Sequence, residues 1–253
     1  MSSSTELVSI ITPAYKAAGY IGKTIESVIT QTYPNWEMLI TDDCSPDNTR
    51  DVIGRYAASE SRIKLIAQQV NQGPAMARNA SLASASGRYI AFLDSDDWWL
   101  PEKLAHQLDF MGRTNAPLSY TQFRRVDQNG DNEGRVIVVP DSLTYHQLLG
   151  NTAIATSTAI LDRTQTGDVR MIKTYYDDFV LWLSVLRRGY TALALHEDLM
   201  RYRVVQGSVS RGKVNSAKKV WETYRQIEGF GPLRASFYFS QYTFNAIKKY
   251  SSF

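Results

Sequence analysis

Two short acidic runs offer the chemistry in this sequence. Asp94-Ser95-Asp96-Asp97 follows the apolar run 89–93, and Asp42-Asp43 follows the run 36–41. Residues two apart in an extended chain point the same way, so Asp94 and Asp96 face one ligand together. Paired carboxylates with no histidine or thiolate beside them suit a hard cation, Mg²⁺ or Mn²⁺, whose shell is completed by waters and substrate phosphates. The same groups accept hydrogen bonds from a nucleobase imide or from ribose hydroxyls. By itself, an acidic turn after a strand is equally a solvated loop. The reading turns on whether Pro13, Tyr15, Asp42 and Asp43, also at the ends of apolar runs, meet Asp94 and Asp96 in one crevice. A third pair, Asp177-Asp178, precedes Phe179-Val180-Leu181-Trp182-Leu183. Taken as residues alone, these are acids at a helix N-terminus, where the dipole favours them.

The elements that must position these groups alternate through the first half. Runs 7–12, 36–41, 63–67 and 89–93 are short and apolar, as buried parallel strands are. Between them, 20–32 has Ile21, Ile25, Val28 and Ile29 at helical spacing, 50–58 is a helix capped by Asn48 or Thr49, and 75–85 is an Ala-rich helix. Pro101 opens a further helix to about residue 111. Repeated β-α-β units predict an α/β fold with an open, mostly parallel sheet between helices. Ligands then lie beyond the carboxyl ends of the strands. In the second half, 118–127 and 135–139 flank a turn at 128–131 and predict an antiparallel hairpin. A helix over 178–188 stops before Gly189, strands follow at 193–195 and 199–204, and helices at 214–227 and 233–249.

Composition removes several alternatives. One cysteine, Cys44, leaves no intramolecular disulfide, and three scattered histidines, His106, His146 and His196, make no zinc site. The 253 residues carry 28 Lys and Arg against 25 Asp and Glu, a net charge of +3 that predicts no nucleic-acid binding. Nothing near the start resembles a signal peptide, and the longest uncharged stretch, 142–161, is too polar to span a bilayer. A cytoplasmic protein is expected. Residues 207–214 almost spell a phosphate-binding P-loop, but Val214 stands where the magnesium-binding hydroxyl belongs. His196-Glu197 lacks a second histidine because position 200 is Met, and no Gly-x-Gly-x-x-Gly follows an early strand.

Five ordered motifs then make a resemblance plain. They are Val8-Ser9-Ile10-Ile11-Thr12-Pro13-Ala14-Tyr15; Ser27-Val28-Ile29-Thr30-Gln31-Thr32-Tyr33-Pro34-Asn35-Trp36-Glu37; Asp42-Asp43-Cys44-Ser45; Asn71-Gln72-Gly73-Pro74-Ala75 with Ala77-Arg78-Asn79; and Gly87-Arg88-Tyr89-Ile90-Ala91-Phe92-Leu93-Asp94-Ser95-Asp96-Asp97. The chain resembles a family 2 glycosyltransferase of the GT-A fold, a Rossmann-like, mostly parallel sheet with a small antiparallel acceptor-side portion and C-terminal helices. The resemblance implies a glycosyltransferase domain over 1–212, with a nucleotide-sugar-binding half at 1–112 and an acceptor half at 113–212, followed by a helical extension at 213–253.

It also implies roles. Pro13, Tyr15, Asp43 and Arg78 would line the base pocket of a nucleoside-diphosphate sugar, with Asp42 supporting it. Asp94 and Ser95 would lie near the ribose and donor sugar. Asp96, with Asp94, would hold Mn²⁺ or Mg²⁺ on the diphosphate. Asp177-Asp178 resembles the family's Glu-Asp motif, so Asp178 is expected to be the general base and Asp177 its rival. Arg201-Tyr202-Arg203-Val204 and Ser208-Val209-Ser210 resemble a loop closing over the donor; many members have His where this chain has Val205, so a phosphate or metal contact is either missing or supplied by Arg203, Arg211 or Lys213.

The C-terminal stretch combines Phe237, Tyr238, Phe239, Tyr242, Phe244, Ile247 and Tyr250 with many basic residues. Such a surface suits an anionic bilayer, and equally a helix packed on the domain or on a second subunit. The expected partners are thus a UDP-linked sugar donor and a glycan or lipid-linked glycan acceptor, with peripheral inner-membrane association and a homodimer as further possibilities. The expected reaction is an inverting transfer in bacterial surface polysaccharide assembly. The rival class is a non-catalytic nucleotide-sugar-binding protein that keeps the pocket.

Overall fold

The computed structural model of the chain describes residues 5–205 and 213–251, the last as backbone alone for 213–215 and 246–251. The first half runs β1 (Val8–Ala14), α1 (Ile21–Ile29), β2 (Trp36–Asp42), α2 (Thr49–Ser59), β3 (Ile63–Ala67), α3 (Pro74–Ala83) and β4 (Tyr89–Phe92). Next come β5 (Trp98–Trp99), α4 (Lys103–Thr114), β6 (Leu118–Val126), β7 (Glu133–Ile137), β8 (Ser142–Leu143), α5 (Tyr145–Leu149), β9 (Ile160–Asp162) and α6 (Arg163–Thr166). The chain continues with α7 (Asp177–Leu186), β10 (Ala192–Arg203), α8 (Lys213–Glu222) and α9 (Pro232–Ser251).

All strands join one sheet in the order β3-β2-β1-β4-β9-β6-β10-β5, with β7 added to β6 and β8 to β10. β1 pairs parallel with β2 and β4, and β2 with β3. β9 is antiparallel to both β4 and β6, and β6 is parallel to β10. Two reversals restore the direction. Six strands, β1, β2, β3, β4, β6 and β10, therefore send their carboxyl ends to one edge of the sheet.

The period of two sorts the side chains between two layers. Ile10, Ile40 and Ala91 face one way, packing with Ile21, Ile25 and Val28 of α1 and Leu104, Leu108 and Met111 of α4. Ile11, Leu39 and Phe92 face the other, packing with Leu148, Trp182, Tyr224 and Tyr238. Every residue of β1 and β2 is buried, which is why these strands read as mostly apolar runs. The C-terminal helices supply part of the second layer through Val220, Tyr224, Ala235 and Tyr238. At Gly87 an added Cβ would stand 2.6 Å from the Leu7 carbonyl and the Ser9 amide, so only glycine lets the chain enter β4 against β1.

The expected mixed α/β sheet between helices is present, and the second half differs in detail. The strands expected at 193–195 and 199–204 are one strand, β10, whose register against β6 shifts after Leu195. Extra residues bulge out there while pairing continues. The turn at 128–131 and its hairpin are present, with β7 starting at Glu133. β5, β8, β9 and α5 were not expected: three strands of two or three residues show no periodicity. The short helix α5 does carry a signal, since Thr144 and Gln147 form a capping box. Among the described residues, no helix is long and apolar enough to cross a membrane.

Candidate active site

The site is built on the carboxyl edge of the sheet. Pro13 lies in β1, and Tyr15 directly after it is 45% exposed. Asp42 ends β2, buried, with Oδ2 accepting from Arg50 Nη2 at 2.9 Å and Nε at 3.1 Å. Asp43 accepts from two backbone amides, Gln72 N on Oδ1 and Gly73 N on Oδ2, each at 2.8 Å. It ties the glycine turn that opens α3 to the end of β2. Cys44, at φ +57, turns the chain away immediately afterwards.

The acidic turn after β4 is held from several sides. Thr24 Oγ1 donates to the carbonyls of Ser95 (3.0 Å) and Asp97 (2.8 Å). Ser157 Oγ donates to Asp97 Oδ2 at 2.6 Å and accepts from the Asp94 amide at 3.0 Å. Asp97 Oδ1 accepts from the Arg203 amide at 3.0 Å. Asp97 thus organises the turn from inside, and burial together with the charges of Asp96 and Asp94 raises its carboxyl well above the usual range. The Asp96 carboxylate receives no hydrogen bond from another described side chain. Burial, reinforced by the Asp94 charge, pushes it up to about 6.

Arg203, expected at the donor phosphates, ends β10 and is buried. Its Nε donates to the Asp96 carbonyl (2.9 Å), Nη1 donates to the Gln128 carbonyl (2.6 Å), and the guanidinium lies 4.7 Å from the Trp98 ring centroid and 5.0 Å from that of Tyr20. Lys23 Nζ stands 3.6 Å from the same Trp98 ring. Arg203 therefore braces the acidic turn through its backbone. Arg201, Tyr202 and Arg203 belong to β10, while Ser208, Val209, Ser210 and Arg211 fall outside the described residues, as does the Lys213 side chain.

The second half closes the crevice. Asp177 and Asp178 begin α7. Arg78, on α3, forks between the two halves, Nη2 to Asp94 Oδ1 at 2.5 Å and Nη1 to Asp177 Oδ2 at 2.9 Å. Burial works against the Arg78 charge, and the carboxylates of Asp94 and Asp177 more than offset it, raising its pKa. Burial raises Asp177 to about 6 despite the Arg78 charge, and Asp178 beside it adds to the rise. Asp178 is less buried; its Oδ2 accepts from Thr156 Oγ1 at 2.6 Å. A cavity of about 370 Å³ joins Arg78, Asp94, Asp97, Thr156, Asp177 and Asp178, with aromatic walls from Tyr176, Phe179 and Trp182.

Five of the sequence-expected or neighbouring residues thus meet in one cavity: Arg78, Asp94, Asp97, Asp177 and Asp178. Pro13, Tyr15, Asp42 and Asp43 stand at neighbouring strand ends on the same edge, outside its lining, as do Ser95, Asp96 and Arg203; Asp43 connects to it through Gly73, next to the lining residue Pro74. Sequence reasoning missed Thr156 and Ser157, which sit in an uncharged stretch with no pattern around them. Among the described residues, no three His, Cys, Asp or Glu side chains converge as a metal cage.

A glycosyl transferase family 2 model matches residues 9–176, which spans β1, the acidic turn and the segment up to α7. The chain belongs to glycosyl transferase family 2. As a member of that family it is 44% identical over 251 residues to the putative teichuronic acid biosynthesis glycosyltransferase TuaG of Bacillus subtilis, covering 98% of this chain and 99% of that one. It is 38% identical over 246 residues to the UDP-Glc:alpha-D-GlcNAc-diphosphoundecaprenol beta-1,3-glucosyltransferase WfgD of Escherichia coli, covering 97% and 95%. The fold is shared with S. aureus TarS 1-349 in complex with UDP-GlcNAc, at a TM-score of 0.73 and 19% identity over 97% of this chain and 73% of that one. It is shared also with the mannosyltransferase PcManGT of Pyrobaculum calidifontis in complex with GDP-Man and Mn²⁺, at 0.70 and 17% over 92% and 69%. This family 2 glycosyltransferase has the GT-A architecture that its motifs implied.

Proposed function

We propose that the chain is a metal-dependent, inverting hexosyltransferase. It moves a sugar from a UDP-linked donor to a hydroxyl of a lipid-linked glycan, in bacterial surface polysaccharide assembly at the cytoplasmic face of the membrane. The observation that carries the reading is the single crevice in which Arg78 bridges the acidic turn after β4 and the acidic start of α7. Donor and acceptor chemistry need that proximity. The name of WfgD, a relative at 38% identity, supports the UDP donor and the diphospholipid acceptor.

Asp178 acts as the general base. Asp177 is spent on Arg78 and on the Asp178 amide, whereas Asp178 is more open and is oriented by the Thr156 hydroxyl. It takes the acceptor proton as the oxygen attacks the anomeric carbon, and a single displacement inverts that carbon. Asp43 and Tyr15 meet the nucleobase, with Pro13 beneath and Asp42 supporting. Arg78 fixes Asp94 beside the ribose and donor sugar, next to Ser95. Arg203 serves the donor by holding the peptide of Asp96.

The acidic turn fits a divalent cation. Asp96 is a partly buried carboxylate that no other described side chain donates to, and it feels the like charge of Asp94. Two hard oxygen donors leave the rest of a shell to waters and phosphates, as Mg²⁺ and Mn²⁺ prefer. Asp96 and Asp94 would hold that ion, whose chemistry is to neutralise charge gathering on the departing diphosphate.

Asp178→Asn should lower transfer at least about a hundredfold while UDP binding, measured by calorimetry, survives. Asp96→Ala should lower transfer by a similar factor and abolish the response to Mn²⁺. Unchanged rates in both variants would refute the site, whereas UDP binding with no transfer by the wild type would favour a binding protein without turnover.

A further inference from the structure

Helix α9 is apolar on two opposite faces. Ala235 and Tyr238 are buried, and Phe239, Tyr242 and Asn245 are half-buried, so one face packs on the domain. With 3.6 residues per turn, Leu233, Phe237 and Phe244 fall within about 40° of one another on the opposite side. Their exposures are 89%, 56% and 70%. Ser236 and Thr243 separate the two faces along one flank, and Arg234 and Gln241 along the other. A helix that only packed on its own domain would turn a polar face outward.

We propose that this outer stripe is a membrane-docking surface that inserts into the interface of an anionic bilayer. The net charge of the C-terminal stretch that carries it selects that occupant over a second copy of the chain. From 213 to 253 there are seven Lys and Arg against two Glu. Both Glu are already neutralised, Glu222 by Lys219 at 2.7 Å and Glu228 by Arg187. Arg234 sits exposed at the start of the stripe, its guanidinium 4.1 Å from the Phe230 ring centroid. Two copies meeting here would press like charges together, whereas anionic headgroups complement them.

The inner face of α9 links this surface to catalysis. Asn245 Nδ2 donates to the Gly150 carbonyl at 2.8 Å, and Gln241 lies so near Gly150 that an added Cβ would stand 2.8 Å from its Oε1. The segment that follows supplies Thr152, Ile154 and Thr156 to the crevice wall. A bilayer gripping α9 thus has the acceptor side of the crevice as its neighbour. This part of the inference rests on the lipid-linked acceptor proposed above; the docking surface itself does not.

The test compares the full chain with the variant L233S/F237S/F244S by co-sedimentation with vesicles of phosphatidylglycerol and phosphatidylcholine, and of phosphatidylcholine alone. Wild type should bind the anionic vesicles more tightly, and the variant should bind them at least about tenfold more weakly. Its urea midpoint should stay that of wild type, since the three side chains lie outside the core. No wild-type binding, or equal binding by the variant, would overturn the proposal. So would a dimer of wild type that the variant loses, without vesicle binding, because a second copy would then cover the stripe. UDP binding, followed in parallel, should be equal in the two proteins. Its absence from both with vesicle binding retained would sink the transferase reading and leave the docking surface standing.

Discussion

The acids at the end of β2 and the acids around the crevice differ in number and in condition. Asp42 and Asp43 are tied into the scaffold: Asp42 takes an arginine on Oδ2, its Oδ1 being buried without a partner among the described residues, and Asp43 takes two backbone amides. Of the acids around the crevice, Asp94 and Asp177 share one guanidinium, from Arg78, and Asp96, Asp97 and Asp177 are pushed upward by burial and by neighbouring carboxylates. The first region is a finished surface whose shape does not depend on a ligand. The second is electrostatically incomplete and is organised to receive positive charge. A donor bringing a cation would supply it.

That contrast can be broken by removing the one shared cation. Arg78→Met leaves Asp177 and Asp94 as unpaired, largely buried carboxylates, and should cost about 3–5 kcal/mol in urea unfolding at neutral pH. A loss under 1 kcal/mol would mean that the crevice acids do not depend on Arg78. The scaffold-tied region should respond less. Asp43→Asn faces one of two amides with a donor instead of an acceptor, and should cost about 2 kcal/mol while weakening UDP binding and leaving Mn²⁺ dependence unchanged. An altered Mn²⁺ response there would erase the distinction between the regions.

The smallest effect belongs to Glu37, a saturated acid of the scaffold. Burial would raise its carboxyl, but hydrogen bonds from Lys64, Ser86 and Ser9 overcome this and lower it from 4.5 to about 2. Its folded value is below its unfolded value, so its stabilisation is present above about pH 4.5 and is lost as pH falls toward 2. Glu37→Gln should cost about 1 kcal/mol at neutral pH. It should also flatten the acid limb of stability between pH 4.5 and 2, measured by denaturant titration at stepped pH. An unchanged acid limb would assign that slope to other carboxylates.

The same contrast separates what was legible in the sequence from what was not. The run 36–41 stops one residue short of β2, because strands buried on both faces are mostly apolar, and 63–67 coincides with β3, an edge strand that keeps Ile63, Leu65 and Ile66 while exposing Lys64. The acids of the first half follow such strands, and so their positions could be read. β9 could not be read: Ile160–Asp162 owes its place to two antiparallel neighbours far away in sequence. Thr156 and Ser157 were hidden with it, since a hydroxyl becomes a site residue only through what tertiary structure sets opposite it. Arg203 was legible as a residue near the donor turn but not in its direction, which the Trp98 ring and the Gln128 carbonyl decide.

β9 has a consequence for how this architecture can diversify. An antiparallel strand presents its amino end where parallel neighbours present their carboxyl ends, so Thr156 and Ser157 arrive beside the acidic turn from the opposite chain direction. The stretch between α5 and β9 is therefore a loop anchored at both ends, and its middle can lengthen or change sequence without shifting the strands that carry Asp94 and Asp96. Under the proposed assignment of donor and acceptor sides, acceptor preference can drift within such a scaffold while the donor half stays fixed, as two tools share one handle.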